Sequence, residues 1–113
     1  LSAVARVRTY SPYVREACRL LGLQIATGRR ERRWSQVELA ERAGVSAPTV
    51  VKMERGDPSV GLGVALEAAA LVGVPLFHEE RPRLAVDVRA ADERLALLPR
   101  RVRRSPKPVN DDF

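Results

Sequence analysis

Residue types that carry covalent or metal chemistry are scarce in this chain. Among 113 residues there is one cysteine, Cys18, and one histidine, His78. A lone cysteine excludes an internal disulfide framework, and one histidine beside it removes most ways of holding a transition metal. No nucleophile with a base, and no carboxylate pair, is assembled by spacing, so no enzyme, metal or cofactor is expected. Cys18 falls on an apolar helical face and reads as core filler. The abundant chemistry is arginine charge, with 20 Lys and Arg against 14 Asp and Glu and a net charge of +6. Residues 1–34 carry eight arginines against two glutamates, residues 35–80 are net −4, and residues 81–113 are net +4. Such basic flanks suit a polyanionic partner. A genome that favours arginine on solvated faces gives the same count, and charge alone leaves both readings open.

The elements that position side chains follow from pattern. Apolar residues make up 45% of the chain and aromatics 4%, which points to one small, aliphatic, all-α core. No apolar run approaches a membrane span, and the first residues lack a continuous apolar signal region, so a cytoplasmic protein is expected. Residues 1–10 alternate weakly and are expected to form an N-terminal arm, either extended or disordered. Ser11 before Pro12 suits a helix start, and Val14, Ala17, Cys18, Leu21 and Ile25 share one helical face, which predicts a helix from Pro12 to Arg32. Ser35 and Glu38 have capping-box spacing, with Trp34 and Leu39 as a hydrophobic staple, so a second helix starts at Gln36 and stops near Ala43 before Gly44. Ser46 caps a third helix, Val45 and Val50 staple it, Pro48 fits its first turn, and Gly56 ends it. After the turn "GDPS" a fourth helix is expected from Val60 to Val72, with Leu62, Leu66 and Ala69 inward and Gly73 at its end. Pro75 would open a short fifth helix through Leu76 and Phe77. Two short helices joined this tightly meet at a sharp angle, and helices one, four and five would cover their apolar backs.

The stretches "RRERRWSQVELAERAGVSAPTVVKMERGDPS" and "ALEAAALVGVPL" resemble the Xre-type (Cro/CI-like) helix-turn-helix repressors. The resemblance rests on Gln36, Leu39, Ala40, Ala43, Gly44, Val45, Val50, Glu54, Gly56 and Gly73, and it covers about residues 11–78, within a DNA-binding domain expected over residues 11–80. The pattern departs at Arg33, where the family commonly has glycine, and at Gly61 and Gly63 inside the fourth helix. The resemblance implies that the third helix enters the major groove while the second crosses the backbone. It implies that Gln36 anchors a phosphate, and that Arg29 pairs with Glu54 and is aimed toward phosphate. It also implies a homodimer on a palindromic double-stranded operator.

On the third helix the outward positions are Ala47, Pro48, Thr49 and Lys52, flanked by Ser46 and Arg55. Lys52 can donate to guanine, whereas Ala47 and Pro48 offer only apolar contact to a thymine methyl. Specificity therefore leans on Lys52, on Thr49 or Ser46, and on DNA shape. Residues 81–98 form an extension that can dimerise the domain: "RPRLAVDVRA" alternates like a strand, while "AADERLALL" suits a helix. Residues 99–113 are a basic, proline-rich flexible tail without a core of its own. On a short Xre-type protein that tail resembles the HipB-like antitoxins of HipA-type kinase toxins, which implies an autoregulating antitoxin with Asp111, Asp112 and Phe113 toward the toxin. A stand-alone regulator, and an interaction module that binds no DNA, remain alternatives.

Overall fold

The structure, a computed structural model, describes residues 8–77 and 81–101. Most of the expected arm, His78, and most of the expected tail, with Asp111, Asp112 and Phe113, lie outside the described residues. Among the described residues there are five helices: α1 (Pro12–Glu31), α2 (Gln36–Ala43), α3 (Ala47–Glu54), α4 (Leu62–Leu71) and α5 (Arg81–Ala96). The described residues contain no strand, and the fold is all-α. The chain divides into two compact units, Leu1–Phe77 and His78–Phe113.

In the first unit each helix start has a local cause. The Val14 amide donates to Ser11 Oγ at 3.3 Å, and Pro12 occupies the first turn of α1, where a missing amide costs no hydrogen bond. Of the expected α1 face, Ile25 is buried and Cys18 and Leu21 are half-buried, while Val14 and Ala17 stay exposed. Periodicity marks a face but not how far along it the partners reach. Ile25 joins Leu39, Ala40, Val50, Met53, Ala68, Ala69 and Val72 in the core. Each of the larger side chains among them contributes about 1.5–3 kcal/mol by leaving water.

Close backbone contact sets how α1 lies on its neighbours. A Cβ added at Gly22 would meet the Met53 carbonyl at 2.5 Å, and one at Gly28 would meet the Val72 carbonyl at 2.5 Å. Both glycines let α1 rest directly on the ends of α3 and α4.

Three expected elements differ. The fourth helix begins at Leu62 rather than Val60, and Leu62 is 74% exposed instead of inward. Val60, in the turn before the helix, packs against the core, and the buried stripe of α4 falls on Ala68 and Ala69. No helix opens at Pro75. Val74 and Leu76 are half-buried against the core while Pro75 and Phe77 are exposed, an alternation with the period of an extended chain. The fifth helix is α5 in the second unit, which overturns the strand alternative for residues 81–98. Pro82 sits in its first turn, Arg83 and Asp87 pair at 4.0 Å one turn apart, and Leu84 and Val88 fit the helical i, i+4 spacing as well as they fit alternation.

The sequence departure at Arg33 has a structural counterpart. Arg33 has φ 60°, in the left-handed region that disfavours residues with a Cβ. The strain is offset by the bonds of the same turn, in which the Arg33 amide donates to the Arg30 carbonyl at 2.9 Å and the Trp34 amide to the Arg29 carbonyl at 3.1 Å. We predict that Arg33→Gly raises stability by up to about 1 kcal/mol, measured by urea denaturation, as strain relief of about 1–3 kcal/mol exceeds the entropy cost of glycine. A loss of more than that amount would contradict this account of the turn.

Candidate nucleic-acid interface

The interface is built by caps. The Glu38 amide donates to Ser35 Oγ at 3.0 Å and the Ser35 amide to Glu38 Oε1 at 2.9 Å, so the capping box at the start of α2 is complete. Gly44, at φ 71°, closes α2 in the left-handed conformation, and the Val45 amide turns back to the Ala40 carbonyl at 2.9 Å. Two residues later the Thr49 amide donates to Ser46 Oγ at 3.3 Å and starts α3. The Ser46 and Thr49 hydroxyls also share a hydrogen bond of 2.9 Å.

One buried polar cluster fixes α3 to the scaffold. Arg29 Nε donates to Glu54 Oε2 at 2.6 Å and Arg29 Nη2 to Glu54 Oε1 at 3.0 Å, with Arg29 7% and Glu54 9% exposed. Arg29 Nη1 donates to the Trp34 carbonyl at 2.8 Å, and Gln36 Nε2 donates to Glu54 Oε1 at 3.0 Å. The cluster thus joins the end of α1, the entry to α2 and the last turn of α3. No buried side-chain nitrogen or oxygen among the described residues lacks a partner, which is the condition under which a buried ion pair is tolerated. The hydrogen bond to Glu54 raises the Arg29 pKa above its ordinary value, against an opposing effect of burial.

The expected pair of Arg29 and Glu54 is present. Three of the five N–H donors of Arg29 go to Glu54 and Trp34, and the side chain is buried. Gln36 is half-buried at the first position of α2 and keeps one amide hydrogen beyond the one given to Glu54. Ser46, Pro48, Lys52 and Arg55 are exposed, and Thr49 is half-buried. Pro48, Lys52 and Arg55 recur at i, i+4 and i+7 and so share one solvent face of α3. Ala47 departs from its outward expectation: it is half-buried and packed against the core, because the first turn of α3 lies close to that core.

Two arginines escaped the sequence reading. The Arg42 guanidinium stacks over the Trp34 ring with its central carbon 4.2 Å from the centroid, and Arg32 Nη1 donates to the Val72 carbonyl at 2.6 Å, closing the end of α4. Trp34 lies outside any helix, so no periodicity links it to Arg42. In the turn after α3 the Ser59 amide and hydroxyl donate to Asp57 Oδ1 at 2.8 and 2.7 Å and hold the Asp57 pKa below the usual carboxylate range. A lowered folded-state pKa stabilises above the unfolded value, and that stabilisation is lost as pH falls through the folded one.

Residues 25–78 match the family described as helix-turn-helix. This segment is similar to helix-turn-helix domains. The match starts inside α1 and leaves out α5. No curated protein and no solved structure matches the chain. The coarse function that the helix-turn-helix domain supports is that of a DNA-binding transcription regulator.

Arg29→Ala would leave the Glu54 carboxylate buried and uncompensated. We predict a loss of about 3–5 kcal/mol of stability in denaturant unfolding. A loss under about 1 kcal/mol would show that the cluster contributes little to the domain.

Proposed function

We propose that the chain is a sequence-specific transcriptional repressor that binds a palindromic operator as a homodimer, with α3 of each domain in a major groove. The observation that carries this reading is the solvent face of α3. Lys52, Pro48 and Arg55 stand on it together, on a helix capped at Ser46 and held from behind by the cluster around Glu54. A rigid, exposed helix of this kind can enter a groove without first paying to order itself. Lys52 supplies the donor for guanine N7 and O6, Pro48 an apolar contact, and Ser46 and Thr49 short polar contacts near the groove edge. Gln36, at the amino end of α2, offers its remaining amide hydrogen and the helix terminus to a phosphate. Half-sites one helical turn, ~34 Å, apart or a multiple of it would mirror the two-fold symmetry of the protein.

Lys52→Ala should cost about 1–3 kcal/mol on the preferred site and relax the choice at one base pair. Gln36→Ala should weaken binding evenly across sequences. The measurement is a pair of titrations at fixed salt, on the region upstream of the chain's own gene and on scrambled DNA. Lys52→Ala losing equally on both would refute the readout.

A finer reading makes the repressor an autoregulating HipB-like antitoxin. Its support is the sequence of residues 99–113, of which Asp111, Asp112 and Phe113 would meet a basic, partly apolar pocket of the kinase toxin. Removing residues 110–113 should leave operator affinity unchanged and weaken capture of the neighbouring gene's product. Truncation that abolishes DNA binding but spares capture would exclude this role for the tail.

A further inference from the structure

The second unit presents a helix whose apolar residues have no counterpart within α5 itself. Leu84, Val88, Ala91 and Leu95 follow one another along α5 at intervals of four, three and four. That is the heptad spacing of a two-helix seam, with Val88 and Leu95 at one core position and Leu84 and Ala91 at the other. The large side chains of this seam are solvent-exposed, up to 66% for Leu95. A helix of 16 residues is marginal in water on its own, so it gains most of its stability by burying such a stripe.

The flanking charges select the occupant. Asp87 and Arg94 occupy the same flank of the seam, seven residues apart, and Asp92 lies on the other flank. In an antiparallel pair of identical helices like flanks meet, so Asp87 of one copy comes opposite Arg94 of the other, twice by symmetry. In a parallel pair unlike flanks meet, and Asp87 would face the other copy's Asp92, two like-charge contacts. Within the helix Asp87 also lies 4.0 Å from Arg83.

We propose that α5 pairs antiparallel with α5 of a second copy of this chain, with reciprocal Asp87–Arg94 contacts setting the orientation. The pairing deepens the reading of the chain as a dimeric repressor and gives that dimer its contact surface. Two heptads bury less than the roughly 1,200 Å² of a standard interface, so the free dimer dissociates readily and operator DNA, by holding two domains side by side, draws it together.

The test is sedimentation equilibrium of the full chain without DNA, at low salt. Asp87→Arg and Arg94→Asp, each alone, place like charges opposite each other and should raise the dimer dissociation constant about tenfold. An equimolar mixture of the two single variants should recover wild-type association, because each then meets its complement, and the doubly reversed chain should recover it alone. Circular dichroism of each variant reports any direct loss of helix, which the mixture cannot repair. A wild-type chain that stays monomeric at millimolar concentration, or a mixture as dissociated as its components, overturns the proposal. Failure of DNA binding with recovery intact would instead count against the repressor reading.

Discussion

The domain depends on one buried charge pair. Arg29 and Glu54 lie 25 residues apart in sequence, on different helices, and their bidentate contact at 2.6 and 3.0 Å is closed by Gln36 and the Trp34 carbonyl. Such a pair adds little net stability over a well-packed apolar equivalent, yet removing one partner is severely destabilising. Its value here is geometric. The guanidinium fork accepts only one arrangement of the carboxylate, so the end of α1, the entry to α2 and the last turn of α3 are registered against one another. The same Glu54 that terminates α3 holds Gln36, and a residue proposed to touch phosphate is thereby indexed to a helix proposed to read bases.

Around that cluster a small aliphatic core has few large side chains to spend. Close approach substitutes for bulk: glycines at 22 and 28 bring α1 onto the carbonyls of Met53 and Val72 with no side chain between. Arg32, bonded to the Val72 carbonyl, closes the far end of α4, and Arg42 covers the Trp34 ring. Several arginines that composition alone would assign to a polyanion are therefore engaged with the protein itself. The outward face of α3 keeps Lys52 and Arg55 exposed.

The parts legible in the sequence are those specified by local chemistry. Ser11 with Pro12, Ser35 with Glu38, Gly44 and Ser46 each carry a cap that forms within a few residues, and α1 to α3 start, and α2 stops, where those caps place them. The pairing of Arg29 with Glu54 was legible only through the family resemblance, since nothing local joins positions so far apart. Where tertiary packing decides, pattern misled. Leu62 is apolar and in phase but lies exposed in the first turn of α4, Ala47 turns toward the core, and Val74 to Phe77 alternate instead of coiling. The contest between strand and helix over residues 81–98 could not be settled by Leu84 and Val88, whose spacing fits both periods. The helix extends through Ala90 and Ala91 to Ala96, where alanine and arginine favour it.

The central claim is that a helix held in place by a buried charge cluster presents its outer face to DNA. Backbone amide shifts of the full chain, followed by NMR as duplex DNA from upstream of its gene is added, test it directly. The account predicts that the largest changes fall at Ser35 to Val37 and from Ser46 to Arg55, and that they fade as salt is raised. Changes centred instead on the exposed Leu20 and Leu23 face of α1, with α3 unmoved, would contradict it.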